Sequence, residues 1–251
     1  IRDKADQGDV IRLKFLDQNN RKETQTGFMN PIIAEDVGEL LHADVFVCVP
    51  ITDYEVPLET LKYIKKNSDG IVIFDAHGPT NTVDVLGARH MRFWIERDIW
   101  LPYIDVLKMN LEESRCCWFE KEYDLSELKP LHDIQTDHLD DMARHVLDKG
   151  VKALIVTLDS GGSAVYFKEG AEVRKEIVPS VPVKDVVDTT GCGDSFAGGL
   201  GFGLLENTTN YIGAARYANA LGAQRTQGRT FEVFKSLEET LNMIRDTYGV
   251  N

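Results

Sequence analysis

The stretch DTTGCGDSFAGG, residues 188–199, combines two aspartates with closely spaced glycines. It follows an apolar run and leads into a segment with helical character. A strand, a glycine-rich turn and a helix in this order expose backbone N–H groups at the positive end of the helix dipole, where they can bind a phosphate. Asp194 ends this glycine loop (residues 188–194), and a carboxylate there can accept the proton of a hydroxyl that attacks phosphorus.

Other known motifs fit the glycine loop less well. A dinucleotide fingerprint would need glycine at Phe196, and the G-K-[ST] of a Walker A loop occurs nowhere in the chain. The letters GDSF would suit a serine hydrolase with Ser195 as nucleophile, but all histidines lie at or before His145, upstream of where such an enzyme keeps its base. A purely structural role, in which Asp194 only caps the helix, stays open because Asp is a favoured N-cap residue.

The segment from Asp188 to Asp194 resembles the second signature of the ribokinase-like, or PfkB-type, carbohydrate kinases, D-T-x-G-A-G-D, with Cys192 in place of the usual alanine. The resemblance implies that Asp194 is the catalytic base and that the amides of Gly191, Cys192 and Gly193 form an anion hole. It further implies ATP as phosphoryl donor, Mg²⁺ as metal and a sugar or sugar-like acceptor. A nucleoside acceptor, or a non-catalytic nucleotide- or sugar-binding protein derived from the fold, remains an alternative.

Two more stretches agree with this family in order and spacing. KMNLEE resembles its N-x-x-E element, which implies that Glu113 acts on Mg²⁺ through water. TLDSGG resembles its T-L-G-x-x-G turn, but Asp159 stands where the family usually has glycine, and a carboxylate there would repel a phosphate. The segment YANALGAQRTQG resembles the adenine-side helix, although an ordinary packing helix explains it equally well. The nucleotide-binding residues that the resemblance implies are Asn110, Thr157, Gly162, Thr189 and Asn219.

The resemblance also bears on a second cation, on the acceptor and on the chain start. Many relatives bind a monovalent cation beside the anion hole, and Asp188 with the carbonyl of Thr190 matches part of that site, so K⁺ is an expected activator. Asp75 and His77 end the strand GIVIFDAHG, where a substrate contact or a plain loop turn would both fit. Because no G-G-x-x-N sugar signature precedes GDVIRLKF, we expect that Ile1 is not the biological start; the alternative is a truncated homologue.

Composition limits the class of protein. The chain has 251 residues and a formal net charge of -13, which disfavours binding to nucleic acid or to an anionic membrane surface. Its four cysteines show no C-x-x-C spacing. No apolar stretch approaches the roughly 18 residues of a membrane span, and the N-terminus does not resemble a signal peptide. These features predict a cytoplasmic protein.

The hydrophobic pattern predicts an α/β protein. Strands alternate with amphipathic helices, which indicates a mostly parallel sheet covered on both faces. Together with the resemblance, this predicts a three-layer α/β/α ribokinase-like fold with a small β lid, through which a homodimer would form. We expect a lid segment at 1–35 and an α/β nucleotide-binding and catalytic domain at 36–251. The individual predictions include a hairpin around residues 17–21, a buried strand in ADVFVCVPI, a helix after Pro57 and a helix from Val83 to Tyr103.

Overall fold

The structure, a computed structural model, describes residues 8–15, 21–118, 136 and 138–249. Its strands are β1 (Val10–Phe15), β2 (Arg21–Gly27), β3 (Val45–Cys48), β4 (Ile71–Asp75), β5 (Asn81–Val83), β6 (Arg89–Met91), β7 (Val106–Asn110), β8 (Ala153–Thr157), β9 (Ser163–Glu169) and β10 (Glu172–Val178). Its helices are α1 (Ala34–Val37), α2 (Leu58–Asn67), α3 (Arg97–Trp100), α4 (Leu111–Cys117), α5 (His138–Asp148), α6 (Cys192–Glu206), α7 (Tyr211–Arg225) and α8 (Leu237–Tyr248).

The central sheet has six strands in the order β10-β9-β8-β7-β4-β3. Strands β3, β4, β7 and β8 are parallel, and β9 and β10 extend the sheet in antiparallel fashion. Apolar side chains alternate between its two faces, as the pleat of a strand requires. In β4, for example, Val72 and Phe74 pack on one face and Ile73 on the other.

Helices cover both faces of this sheet. Helices α2, α4 and α5 bury their apolar sides against one face, where Trp94 is also buried, and α6 and α7 pack against the opposite face. The predicted three-layer α/β/α architecture with a mostly parallel sheet is therefore confirmed. In the described part of the chain, no helix has both the length and the apolar character that crossing a membrane would require.

Helix α6 carries several glycines, which close packing explains. A Cβ on Gly203 would lie 2.5 Å from the Cα of Ala214, and one on Gly199 would lie 2.9 Å from the Cα of Ala218. Glycine inside a helix costs roughly 1 kcal/mol relative to alanine, but these two let the backbones of α6 and α7 touch. The result fixes the start of α6, and with it the glycine loop, against the end of α7.

Two hairpins, β1–β2 and β5–β6, lie side by side and are together called the lid. Strands β1 and β2 pair in antiparallel register, which confirms the first predicted hairpin, although most of its turn lies outside the described residues. The predicted helix from Val83 to Tyr103 is wrong: β5 and β6 form a second hairpin there, followed by the short helix α3. The side chain of Asp84 accepts hydrogen bonds from the amides of Leu86 and Ala88, and Gly87 adopts a φ of 83°. This turn chemistry outweighs the helical spacing of the apolar residues.

Strand β3 also differs from the prediction. It forms an edge of the described sheet and pairs only with β4, and Val47 is 41% exposed. The strand is present as predicted, but it is only partly buried, because no described strand covers its outer side.

A cluster of polar groups ties the lid to the body. Asp9, just before β1, accepts hydrogen bonds from the side chains of Gln25 and Tyr54 at 2.8 and 3.2 Å. Its neighbour Glu55 is 4% exposed and accepts from the hydroxyl of Thr52 at 3.1 Å. Burial, reinforced by Asp9, raises the pKa of Glu55 to about 7. The carboxyl group of Glu55 therefore holds a proton in the folded protein under mildly acidic conditions.

This shift predicts a pH-dependent stability. Because the folded pKa of Glu55 lies above its ordinary value of 4.5, its contribution to stability is complete below that value and is lost as the pH rises through about 7. Glu55→Gln mimics the protonated form and should remove the loss. Between pH 5 and pH 8 the melting temperature of the wild type should fall relative to the variant by at least about 2–4 °C, the shift that 1 kcal/mol makes at this size. Glu39→Gln, at an exposed position, is the control, and an equal response in both variants would contradict the assignment.

Candidate active site

One large cleft lies at the carboxyl ends of the parallel strands, beneath the lid. Its volume is about 1000 Å³. Strand ends β4, β7 and β8 contribute Asp75, Asn110 and Thr157, and the start of α6 closes the cleft from the other side. Every site residue predicted from the sequence lines this cleft except Asp188. The topology therefore collects residues that lie far apart in the chain.

The glycine loop begins α6 in the way that an anion site requires. Gly191 is the N-cap and has a φ of 81°, in the left-handed region that favours glycine. The first amides of a helix have no partner inside it, and the amides of Gly191 and Gly193 donate no backbone hydrogen bond within the described residues. The amide of Cys192 donates to Thr189 at 3.2 Å. Burial raises the pKa of the Cys192 thiol, which makes it a poor nucleophile.

Asp194 occupies the third position of α6 and its side chain is exposed. No side chain caps this helix, because the N-cap residue is Gly191. Asp194 therefore does not act as the N-cap of α6, which was the purely structural alternative. Ser195 donates its hydroxyl to the carbonyl of Gly191 at 2.8 Å, and no histidine among the described residues hydrogen-bonds to it, so the hydrolase interpretation has no support.

Lys108 is the site residue that the sequence analysis missed. It lies in β7 beside the glycine loop, and only 4% of it is exposed. Its ammonium group forms an ion pair with Asp75 at 2.6 Å and would lie 3.1 Å from a Cβ on Gly193. Burial alone would lower the pKa of Lys108, but the carboxylates of Asp75 and Glu113 outweigh it and raise the pKa. A permanent positive charge thus stands next to the open amides.

The N-x-x-E element forms a capping box at the start of α4. The side chain of Asn110 accepts from the amide of Glu113 at 2.7 Å, and Glu113 accepts from the amide of Asn110 at 2.8 Å. His77 donates its Nδ1 proton to Glu113 at 2.8 Å, and its Nε2 lies 3.1 Å from the guanidinium of Arg89. Burial lowers the pKa of His77, but the contact with Glu113 outweighs it, so that the pKa is raised. The buried carboxylate of Glu113 is therefore held in place by Asn110 and His77.

Asp75 and His77 both have charged partners within the protein. Asp75 pairs with Lys108, and His77 links Glu113 to Arg89 of β6. Arg89 also forms an ion pair with Glu23 of β2 at 2.9 Å. All six side chains line the cleft. A network of charges that includes Asp75 and His77 therefore connects the lid to the end of β7.

The turn after β8 contains one residue with an unfavourable backbone conformation. A Cβ on Gly162 would lie 2.1 Å from the carbonyl oxygen of Val178, so only glycine fits there. Asp159 has a φ of 50°, the only positive value at a non-glycine residue in the described chain, which is a conformation that glycine adopts at lower cost. Asn219 lines the cleft, but its amide donates to Val178, Pro179 and Tyr248 and is 7% exposed. This amide is already engaged within the protein.

The residues at the site fit Mg²⁺ that arrives with donor phosphates. Within the described residues no group of three or more His, Cys, Asp or Glu side chains could hold a metal ion. Mg²⁺ in kinases needs only one or two carboxylates, because substrate phosphates and water complete its coordination. Both oxygens of Glu113 already accept hydrogen bonds, so it suits contact through water.

The residues at the expected monovalent site fit such a cation poorly. The carboxylate of Asp188 accepts a hydrogen bond from the amide of Thr190 at 2.9 Å. The guanidinium of Arg225 lies beside the same turn, where its Nε would be 3.2 Å from a Cβ on Gly191. A second cation at this place would be repelled by a positive charge that the chain itself supplies.

Known proteins resemble this chain in part of its sequence and in its fold. The chain is 41% identical to the ribokinase of Lactococcus lactis subsp. lactis (strain IL1403) over 101 residues, which are 38% of this chain and 32% of that ribokinase. A pyrophosphate-dependent kinase in the ribokinase family, solved as a sulfate complex, superposes with a TM-score of 0.68 at 15% identity, over 94% of this chain and 74% of that one. Arabidopsis thaliana ribokinase, complexed with ribose and ATP, gives a TM-score of 0.64 at 19% identity, over 90% and 65%.

The chain thus spans only part of its relatives, and the matched stretch covers about a third of the Lactococcus ribokinase. At 15% and 19% identity the two solved structures establish the fold. The model of the pfkB family of carbohydrate kinases matches residues 58–230, more than half of the chain, and this match contains both the N-x-x-E element and the glycine loop. The chain therefore belongs to the pfkB family of carbohydrate kinases.

Proposed function

We propose that the protein transfers the γ-phosphoryl group of ATP to a hydroxyl group of a sugar or sugar-like acceptor. One observation carries the proposal: the exposed carboxylate of Asp194 stands one residue after the open amide of Gly193, beside the buried ammonium group of Lys108. A base, an anion site and a fixed positive charge are the groups that phosphoryl transfer to a hydroxyl needs.

The residues divide the reaction between them. Asp194 accepts the proton of the acceptor hydroxyl as its oxygen bonds to the γ-phosphorus, and the bond from that phosphorus to the bridging oxygen of ADP breaks. The amides of Gly191 and Gly193 and the charge of Lys108 stabilise the negative charge on the transferring group. Bound Mg²⁺ would neutralise donor phosphate charge, and Glu113 and Asn110 are placed to hold it through water.

The donor is proposed to be ATP because the cleft offers room for a base. Apolar residues line one part of it, among them Val181, Val183, Val186 and Ala223. An aromatic base binds favourably to such a wall, whereas pyrophosphate, the donor named for one structural neighbour, would leave it exposed to water. Asp159 lies at the cleft as well, and its charge favours a donor whose phosphates are neutralised by a metal.

The acceptor side is formed by the lid and the charged network. Ile11 and Leu13 of β1 line the cleft together with Arg89, His77 and Asp75. Fixed donors and acceptors near an apolar cover suit a molecule with several hydroxyl groups. A nucleoside acceptor is the second candidate, since the volume of about 1000 Å³ is ample. A binding protein without catalysis is disfavoured because Asp194 is exposed to the cleft rather than used in the fold.

A homodimer through the β lid remains part of the proposal. Val10 of β1 is 43% exposed, and β1 pairs only with β2 among the described strands, so its outer edge is open to pairing with a second copy. Sedimentation velocity should show a dimer for the wild type and a monomer for the Val10→Lys variant. If both proteins sediment as monomers, the proposed dimer is contradicted.

The first test replaces the base. Asp194→Asn keeps the size and the helix position of the side chain but removes its proton affinity, so kcat should fall by about 10²- to 10⁴-fold, the usual contribution of a general base. The dissociation constant for ATP should change little or improve, because a negative charge near the γ-phosphate is gone. Steady-state kinetics with an acceptor found by screening sugars and nucleosides, and calorimetric titration with ATP, measure both.

The matched control is Asp185→Asn. Asp185 is an exposed acid a few residues before the glycine loop, so its variant carries the same change of charge without touching the base. It should keep kcat within about twofold, as surface substitutions do. A wild-type kcat in Asp194→Asn, with unchanged melting temperature, would sink the mechanism proposed here.

The second test concerns Glu113. Because this carboxylate raises the pKa of His77, Glu113→Gln should lower that pKa, and NMR titration of the His77 ring resolves the change without any assay of activity. The Mg²⁺ concentration required for half-maximal rate should rise in the same variant. Glu112→Gln removes an equal charge one residue away, at an exposed side chain, and should alter the pKa of His77 much less. Equal effects of both variants would refute a specific role for Glu113.

A further inference from the structure

Arg225 is a buried cation beneath the glycine loop. It is the last residue of α7 and 9% exposed. We infer that the guanidinium of Arg225 takes the place of the monovalent cation expected at Asp188 and Thr190, and that it positions the glycine loop for phosphate without any exchangeable ion. The part of this inference that concerns phosphate rests on the proposed function, and the part that concerns the cation does not.

The position of the guanidinium is fixed from several sides. Its Nε and Nη2 would lie 3.2 and 3.9 Å from a Cβ on Gly191, so it lies directly against the N-cap of α6. Its Nη1 donates to the carbonyl of Gly228. Because a Cβ at position 191 would crowd the guanidinium, glycine at this position serves both the left-handed backbone and the close approach of Arg225.

The backbone around Arg225 leaves little for a metal ion to bind. The carbonyl of Thr226, the next residue, accepts from the amides of Val187 and Asp188 at 2.8 and 3.4 Å. The carboxylate of Asp188 accepts from Thr190. The carbonyl of Thr226 and the carboxylate of Asp188 are therefore already engaged in joining the end of α7 to the glycine loop.

Electrostatics favours a cation at this point of the fold. Arg225 lies in the last turn of α7, where the helix dipole is negative and stabilises positive charge. Hydrogen bonds from Thr190, with smaller effects of the Arg225 and Arg229 charges, lower the pKa of Asp188. A guanidinium stays charged at physiological pH and cannot dissociate from the chain, so the loop has a permanent counter-charge close to the amides that would bind phosphate.

The first experiment measures cation specificity by thermal unfolding. The purified protein is melted in KCl and in tetramethylammonium chloride at equal ionic strength. The wild type should give the same melting temperature within about 1 °C, since no site selects K⁺. Arg225→Gln should melt lower, and K⁺ should restore part of the difference where the bulky cation does not. A K⁺-specific rise of several degrees in the wild type overturns the inference, and this measurement needs no enzymatic activity.

The second experiment measures anion binding with pyrophosphate and with ATP in the same two salts. Arg225→Gln should weaken both by about tenfold or more in tetramethylammonium chloride, the scale of one lost charge-assisted contact, with recovery in KCl. Arg229→Gln, which removes an exposed charge of the same loop region, should stay within about twofold. Unchanged binding in Arg225→Gln overturns the role of Arg225 in positioning the loop.

Two further outcomes separate this inference from the proposed function. If Arg225→Gln does not fold, Arg225→Lys keeps the charge without the planar fork, and the wild-type comparison of the two salts still decides the question. If neither pyrophosphate nor ATP binds to the wild type, the proposed function fails, whereas equal melting temperatures in both salts would still support Arg225 as the resident cation.

Discussion

The buried charge of Lys108 is the constraint on which the site depends. An ammonium group that is 4% exposed is stable only beside compensating carboxylates, and these come from β4 and α4 as Asp75 and Glu113. The parallel register, which places Asp75 opposite Lys108, makes the pairing possible. Breaking such a pair on one side costs about 3–5 kcal/mol. The sheet, the N-x-x-E turn and the position of the glycine loop are therefore coupled through one side chain.

This arrangement would let an acidic protein bind the polyphosphate of the proposed donor. The chain as a whole carries a formal charge of -13, which repels anions at long range. The open amides at the start of α6 have a different local environment, because the charges of Lys108 and Arg225 lie close to them. These two cations would act on a phosphate over a few ångströms, whereas the charges of distant surface carboxylates are screened by solvent and salt.

Much of the fold could be predicted from the sequence, whereas part of the site could not. The alternation of apolar residues was sufficient for the strands and for the layers, and glycine spacing was sufficient for the loop before α6. The second lid hairpin was missed because its signal lies in the side chain of Asp84 and the backbone of Gly87, not in periodicity. Lys108 was not predicted as a site residue, although it lies within the apolar segment VLKMN. A lysine within an otherwise apolar strand was the signal that could have identified it. That Asp75 is its partner can be known only from the register of β4 and β7.

Arg225 shows why the remaining part needs a structure. It meets Gly191 across 34 positions of chain, and nothing in AQRTQGR marks it as a site residue. The contact exists because Gly199 and Gly203 bring α6 against the alanines of α7, so that the end of one helix lies at the start of the other. Glycines that weaken α6 as an isolated helix thus set the distance between a cation and an anion site. The glycines lower the helix propensity of α6, but they allow α6 and α7 to pack closely enough for Arg225 to reach the glycine loop. This benefit is visible only in the packed pair of helices.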